Sequence, residues 1–237
     1  MSMKAVIVAD IIKSTTFSVE QLMAIQEELK LYVDENMSWF KEHDSVFWGR
    51  VVRGDTLECY LDNPHYALRT ALLLQLRMML FCVPQNNVSI KKKTMGSLRS
   101  GIRVSVGVGD MRVSDPGKGI LDGEAVYLAG RGLDGQHTAG KEKISIKRTL
   151  FYSSANSSES RAVSLMLEGI DVLLRKTTDS QREVLYYKLL GMKEVEISRV
   201  LSKSVPTINR HGIRSGWYVI SDIINYYEKE LYPLCCN

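Results

Sequence analysis

The segment Lys4–Ile11, with the sequence KAVIVADI, sets the pattern of the fold. It is a short apolar run, rich in β-branched residues, that ends in an acid; this is typical of a buried strand that delivers a carboxylate to one edge of a sheet. A helical pattern follows, with Ser18 as the expected N-cap and Gln21 as its capping-box partner. The chain therefore begins with a strand and a long helix.

Working outward from this segment, the first half of the chain reads as β-α-β-β-α-β with an extension. The predicted elements after the first helix are strands at Ser45–Arg53 and Thr56–Leu61, a helix at Tyr66–Leu80, a lysine-rich polar loop at Asn86–Ser100, a strand at Gly101–Met111, a Gly/Asp/Pro loop, a short helix at Gly123–Leu133 and a strand near Ile144–Tyr152. Gly54 and Asp55 are expected to form the hairpin turn between the second and third strands. The fold class of this half is α+β.

The second half of the chain changes character after a serine-rich stretch, Ser153–Ser160, which reads as a linker. Beyond it only helical patterns remain, at Arg161–Lys176, Asp179–Leu190, Val195–Leu201, Pro206–Ser215 and Trp217–Leu231. We therefore expect two domains, an α+β domain over residues 1–155 and an all-α domain over residues 158–237.

Composition and charge exclude a disordered chain, a collagen-like protein and a disulfide-stabilised scaffold. The chain has 237 residues, 31 Lys and Arg against 27 Asp and Glu, and 45% hydrophobic residues, which are the proportions of an ordinary globular protein. The most apolar stretch, Ala71–Val83, is interrupted by Gln75 and Arg77 and is shorter than the ~20 apolar residues of a membrane span. With no recognisable signal peptide and four cysteines in no metal-binding register, we expect a cytoplasmic protein with reduced thiols and no membrane partner.

Two acids suggest a metal site. Asp10 ends the first predicted strand and Asp55 sits at the hairpin tip. In a β-α-β-β-α-β sheet the first strand lies beside that hairpin, so the two carboxylates could converge on Mg²⁺ or Mn²⁺, which proteins hold with one or two carboxylates and the phosphates of a nucleotide. The alternative is that Asp10 caps the following turn and Asp55 only satisfies the hairpin.

Four successive motifs resemble those of class III nucleotidyl cyclases and of the SatD family, whose cyclase-like domains often precede a DNA-binding tail. They are Ala9–Thr15 (ADIIKST), Arg53–Thr56 (RGDT), Gly101–Gly109 (GIRVSVGVG) and Gly123–Arg131 (GEAVYLAGR). The resemblance covers most of residues 4–135 and implies a ferredoxin-like βαββαβ domain. It assigns metal binding to Asp10 and Asp55, nucleotide binding to Gly54, and to Arg131 both nucleotide binding and stabilisation of the transition state from the partner subunit.

Three positions depart from the cyclase pattern. The transition-state asparagine of the family falls on Tyr127, and its two base-selecting residues fall on Val51 and Ile120. Loss of these positioned groups should remove much of the stabilisation of a cyclisation transition state. The departures favour a domain that senses a nucleotide or a divalent metal over an active cyclase.

The second half contains a helix-turn-helix pattern. Thr178–Leu185 begins a helix that Gly191 ends, Glu194–Leu201 forms a shorter one, and Ser204 is the expected N-cap of a third. The segment of about residues 179–217 resembles the DNA-binding domains of LuxR-type regulators and the promoter-reading region of sigma factors. In such a motif, Ile197, Val200 and Leu201 are expected to pack against Ile208.

The charge pattern agrees with DNA binding. Between Ser198 and Tyr218 there are four Lys or Arg residues and no acid, which indicates a local phosphate-facing patch. Arg210 and Thr207, three residues apart, should face the DNA, and Lys203 should contact its backbone. The expected DNA-binding residues are Arg199, Lys203, Thr207, Asn209, Arg210 and Arg214.

The sequence thus predicts a one-component transcriptional regulator that acts as a homodimer on double-stranded DNA and binds a small nucleotide or a divalent metal. Two alternatives stay open. One is an active class III cyclase with a helical targeting module, and the other is a protein-binding adaptor built on a three-helix bundle.

Overall fold

The structure is a computed structural model that describes residues 3–52, 54–83, 101–134 and 148–234. The predicted loop at Asn86–Ser100, the first part of the strand predicted near Ile144, Arg53 and the cysteines at 235 and 236 lie outside the described residues. Of the cysteines that are described, Cys59 is buried and Cys82 is exposed, and both are free thiols.

The described residues form a mixed α+β fold, as the first half of the sequence predicts. The strands are β1 (Lys4–Ile11), β2 (Phe47–Val52), β3 (Thr56–Leu61), β4 (Ile102–Gly109), β5 (Met111–Asp115), β6 (Ile120–Gly123) and β7 (Leu150–Ser154). The helices are α1 (Val19–Glu42), α2 (Ala67–Leu80), α3 (Glu124–Asp134), α4 (Ser157–Arg175), α5 (Asp179–Leu189), α6 (Glu194–Leu201), α7 (Val205–Arg214) and α8 (Trp217–Tyr226), followed by a π-helical turn, Tyr227–Leu231.

The main sheet has five strands in the order β2-β3-β1-β4-β7. Its pairings are antiparallel except for the parallel pair of β4 and β7. Strand β1 lies beside the β2–β3 hairpin, as predicted, and the register sets Asp10 opposite Thr56 on one side and opposite Arg103 on the other. This register brings the end of β1 and the start of β3 to the same end of the sheet.

Helices cover both faces of the sheet. Alternate residues of β1, among them Ile7 and Ala9, belong to a large core that also takes in α1 and α2, whereas Val6 packs with Ala125 and Ala129 of α3. Helix α3 approaches β4 very closely, because a Cβ atom added to Gly107 would lie 2.2 Å from the carbonyl oxygen of Ala125. Only glycine permits this contact between backbone and backbone.

The helices of the second half pack on the first. Helix α2 lies between the sheet and α5, which explains why its sequence is apolar on nearly all sides. Buried residues of the later helices, such as Ile170, Ile220 and Ile224, belong to the same core as β1 and α2. The boundary of the two predicted domains stays a prediction, but the two halves share a continuous apolar core.

Two parts of the sequence differ from their predicted structure. The serine-rich stretch is not a linker: β7 runs to Ser154, and the side chain of Asn156 caps α4 by accepting a hydrogen bond of 3.1 Å from the Ser158 amide. Serine and asparagine favour helix N-caps as well as loops, so a serine-rich stretch does not by itself distinguish a linker from the start of a helix. The predicted Gly/Asp/Pro loop contains the β5–β6 hairpin, whose strands are joined by an ion pair of 2.5 Å between Arg112 and Asp122.

Candidate functional site

The two predicted metal-binding acids lie at one end of the sheet. Asp55 follows Gly54 at the hairpin tip, and its carbonyl oxygen accepts a 3.0 Å hydrogen bond from the amide of Ile11, the residue after Asp10. Gly54 has a φ of 84°, which suits glycine, and its carbonyl accepts a 2.8 Å hydrogen bond from Gln26 Nε2 of α1. The strand pairing and α1 together fix the position of this tip.

Both acids already have partners within the protein. Arg103 of β4 binds Asp10 through two hydrogen bonds, one of 2.9 Å from Nε to Oδ1 and one from a terminal nitrogen to Oδ2. The pair is largely covered, with side-chain exposures of 17% for Arg103 and 23% for Asp10. The Ser14 hydroxyl donates a 2.6 Å hydrogen bond to Asp55 Oδ2. A cation that used both carboxylates would have to displace Arg103 from Asp10.

Among the described residues, no group of three or more His, Cys, Asp or Glu side chains could hold a metal ion. A divalent ion at Asp10 and Asp55 would therefore need further oxygen ligands from water or from a phosphate. Arg103 is the residue of this site that sequence reasoning missed. The alternation of residues along β4 could have indicated it: Arg103 lies on the same face of the strand as Ser105 and Gly107. In the sheet, this face is the one that carries Asp10 on β1.

Arg131 is exposed in the last turn of α3. Its neighbour Gly132 packs against Ser105, two residues from Arg103, so Arg131 lies at the end of α3 nearer to Asp10. Among the described residues, Asp10 is bonded to Arg103 and Asp55 to Ser14, and no hydrogen bond or ion pair joins Arg131 to either acid of its own chain.

The three positions that depart from the cyclase pattern lie in different surroundings. Tyr127 is half exposed on α3 and donates a 3.0 Å hydrogen bond to Asp122 of the β5–β6 hairpin. Val51 packs against the main core, and Ile120 is 48% exposed on β6. The structure does not bring these three side chains together beside Asp10.

The second candidate site is the pair of short helices α6 and α7. Helix α5 ends before Gly191, whose φ is 80°, as the predicted C′ position requires. Ser202 follows α6 with a left-handed φ of 51°, and the Ser198 hydroxyl donates a 2.6 Å hydrogen bond to the Lys203 carbonyl. These contacts hold the three-residue turn Ser202–Ser204 and fix the direction in which α7 leaves it.

A small separate core joins α5, α6 and α7. Val184, Ile197 and Ile208 are fully buried against one another, so the predicted packing of Ile197 on Ile208 is confirmed. Leu201 packs at the edge of this core. The prediction for Val200 is wrong, since it is 52% exposed; α6 turns only one side toward its neighbours, and Val200 lies on the other.

The six predicted DNA-binding residues fall into two groups. Arg199, Arg210 and Arg214 are exposed, and Arg210 makes a long 3.5 Å contact to Thr207 Oγ1. The others are held within the protein. Lys203 Nζ lies 2.9 Å from a Glu183 carboxylate oxygen, Asn209 lies 3.4 Å from Glu194, and the Thr207 hydroxyl lies 2.9 Å from that of Ser204.

The electrostatic environment of α7 is positive. The pKa of His211 is lowered from its ordinary value of 6.5, first by burial and then by the positive charges of Lys203, Arg210 and Arg214. Its Nδ1 atom is buried and has no hydrogen-bond partner among the described residues. The same cluster of cations that lowers this pKa would attract an anionic partner.

None of the described helices has a stretch long and apolar enough to cross a membrane. Comparison of the sequence with models of protein families gives no match, and comparison with the sequences of curated proteins gives none either.

Proposed function

We propose that this protein is a DNA-binding transcriptional regulator whose α+β half senses a nucleotide or a divalent metal ion. The observation that carries the proposal is the α6–α7 pair: a tight turn fixed by Ser198, a common buried core with α5, and three exposed arginines at positions 199, 210 and 214. This arrangement is what a helix-turn-helix motif needs in order to place α7 in a major groove.

The exposed face of α7 favours DNA over a protein partner. Pro206, Arg210 and Arg214 follow one another at intervals of four residues and are all exposed, whereas Ile208 and Gly212 on the other face are buried. No acid lies between residues 198 and 218 of the sequence to repel phosphates. Arginine can also bind a guanine edge through two hydrogen bonds, which gives Arg210 a role in choosing a sequence.

The α+β half supports the sensor part of the proposal. The order β2-β3-β1-β4, with α1 and α2 on one face, supports the ferredoxin-like sheet that the resemblance to class III cyclases and the SatD family implies. In this proposal Asp10 and Asp55 bind Mg²⁺ or Mn²⁺, and Gly54 and Arg131 contact the nucleotide. An exposed Arg131 suits the implied role in a homodimer, in which this arginine reaches the site of the partner.

An active cyclase is the second candidate function. Against it, Tyr127 stands where the family has an amide and is bonded to Asp122, and Arg103 occupies both oxygens of Asp10. Incubation of the protein with Mn²⁺ and each nucleoside triphosphate should therefore yield no cyclic nucleotide. Formation of a cyclic product, lost in Asp10→Asn, would favour the enzyme.

DNA binding is tested by selection from a pool of random duplexes, followed by measurement of affinity for the selected sequence. Arg210→Ala should weaken binding to that sequence by ~1–3 kcal/mol and relax the preference for one base pair. Arg161→Ala, which removes an exposed arginine from α4, is the matched control and should leave affinity and preference unchanged. If no sequence is enriched, or if both variants behave as the wild type, the adaptor hypothesis replaces this one.

The dimer is tested separately by light scattering of the intact chain with and without Mn²⁺ and ATP. We expect two copies, since motifs of this kind commonly read two half-sites about one helical turn apart. A strict monomer under all conditions would contradict the dimer and the proposed role of Arg131.

A further inference from the structure

A cavity lies where the α+β half meets the later helices, away from both sites described above. Its volume is about 460 Å³, within the ~300–1,000 Å³ of small-molecule sites. We call it the junction cavity. Its walls come from one side of α1, the start of α2, the end of α5 with the two residues after it, and the π-helical turn.

The walls are largely aromatic. Trp39 and Phe40 of α1 both meet Tyr66 edge to face, with ring centroids 5.5 Å and 5.3 Å away, so the three rings form a corner. Tyr32 and Tyr186 add two more aromatic walls. Trp39 is 39% exposed and Leu190 is 48% exposed, although both line the cavity. A planar ring inserted here would cover apolar surface that the folded chain leaves in water.

Within the part of the chain that the structure describes, Arg69 is the one guanidinium that lines the cavity, and it is already occupied. Arg69 donates two hydrogen bonds of 2.7 Å to the Glu228 carboxylate and a third of 2.8 Å to the Leu189 carbonyl. It therefore has little capacity left to neutralise an anionic ligand. Two hydroxyls of the lining are also used as donors. The Thr70 hydroxyl donates to the Tyr66 carbonyl, and the Tyr32 hydroxyl donates to the Thr70 carbonyl.

The charge around the cavity is negative. Glu35 lines it, and the arginine that pairs with Glu35, Arg77, is shared with a second carboxylate, Glu28. Arg77 binds both oxygens of Glu35, and Glu28 lies outside the lining, so the three groups together carry a net charge of −1 at the edge of the cavity. The pKa of Tyr66 is raised first by burial and then by the negative charges of Glu228 and Asp62. At Tyr186, burial raises the pKa, whereas the positive charge of Arg77 lowers it ahead of the opposing effect of Glu35.

Hydrogen-bond acceptors remain available. His65 Nδ1 lies 2.9 Å from the Glu228 carbonyl and 2.8 Å from the Tyr232 carbonyl, which assigns a proton to Nδ1; in that tautomer Nε2 is an acceptor. Asn36 uses its amide nitrogen on the Tyr32 carbonyl at 2.7 Å, which leaves its amide oxygen as an acceptor. A ligand with N–H donors would satisfy these atoms.

We propose that the junction cavity binds a planar aromatic amine, a small molecule with a positively charged amino group and no anionic group. The aromatic corner packs against the ring of the ligand. Glu35, His65 Nε2 and the Asn36 amide oxygen bind its amino group. Such a ligand differs from the nucleotide assigned to the other end of the sheet, because a phosphate would meet uncompensated negative charge here. The inference stands whether or not α7 binds DNA.

The test is calorimetric titration of the intact chain with two probes that share one ring, tryptamine and indole-3-acetate. Tryptamine should bind saturably and at least about tenfold more tightly than the anion, because the two differ in their interaction with the same negative charge. Trp39→Ala should weaken binding of tryptamine at least about fivefold through loss of an aromatic wall. Glu35→Gln should reduce the difference between the two probes.

Two exposed residues of α1 supply matched controls. Met37→Ala and Glu42→Gln change an apolar and an acidic side chain that do not line the cavity, and both should bind tryptamine as the wild type does. Thermal unfolding followed by circular dichroism checks that each variant is folded. The proposal would be overturned if the two probes bound with equal affinity, or if neither bound saturably up to about 5 mM. It would also be overturned if Trp39→Ala and Glu35→Gln were both folded and bound tryptamine as the wild type does.

Discussion

Replacing Arg103 by methionine should strengthen the binding of Mn²⁺ to this protein. In the wild type both oxygens of Asp10 are bonded to Arg103, so an ion that uses Asp10 must first displace the guanidinium. The side chain of methionine is of similar length and can fill part of the same space, but it neither binds the carboxylate nor repels a cation. The acid pair of Asp10 and Asp55 would then be free for the metal.

The size of the effect follows from the geometry of the pair. A hydrogen bond to a charged group contributes ~1.5–3 kcal/mol when it is shielded from water, and both side chains of this pair are less than a quarter exposed. Removal of that competition should therefore raise the affinity for Mn²⁺ by about 10-fold to 150-fold. The gain should disappear when Asp10→Asn is added to Arg103→Met.

The assay is calorimetric titration with Mn²⁺, with and without ATP. Arg50→Met is the control: Arg50 forms an ion pair of 2.7 Å with Glu58 on the same sheet, so this variant also removes one positive charge but leaves Asp10 untouched. Equal affinity in wild type and Arg103→Met, or an equal gain in Arg50→Met, would refute the assignment of the metal to Asp10.

Three further predictions concern stability. Gly107→Ala should destabilise the fold by ~2 kcal/mol or more in chemical denaturation, because its Cβ would overlap the backbone of α3; Gly130→Ala, which meets nothing within 4 Å, should not destabilise it. Arg69→Met should cost ~3 kcal/mol of unfolding free energy by leaving Glu228 buried without its partner, whereas Lys30→Met, from an exposed pair, should cost under about 0.5 kcal/mol. The pKa of His211 is lowered in the folded state, so its contribution to the free energy of unfolding is complete above pH 6.5 and is lost as the pH falls below that value. Between about pH 7 and pH 5, His211→Gln should therefore lose less stability than the wild type.

Local patterns in the sequence predicted the elements of the fold well. Ser18 and Gln21 form the expected capping box at the start of α1, and Gly54 takes the positive φ that a hairpin tip needs. Gly191 ends α5 as predicted. Each of these features depends on residues only a few positions apart, so their chemistry can be read directly from the chain.

Features that depend on distant residues could not be predicted in this way. Asp10 and Arg103 are 93 residues apart and meet only because β1 and β4 are neighbours in the sheet. The junction cavity requires α1, α2, α5 and the π-helical turn to come together, and no periodicity encodes that arrangement. Lys203 looked like a free cation in the sequence, but α5 supplies Glu183 to pair with it.

We propose that the α6–α7 pair presents DNA-binding arginines, and the salt dependence of DNA affinity tests this most directly. The intact chain is titrated into a labelled duplex at several salt concentrations, and the slope of log affinity against log salt is compared with that of a variant in which Arg199, Arg210 and Arg214 are all glutamine. If Arg199 and Arg214 contact phosphates while Arg210 reads a base, the slope should become shallower by about 1.8 per protomer. No binding to any duplex at low salt, or the same slope in both proteins, would contradict the claim.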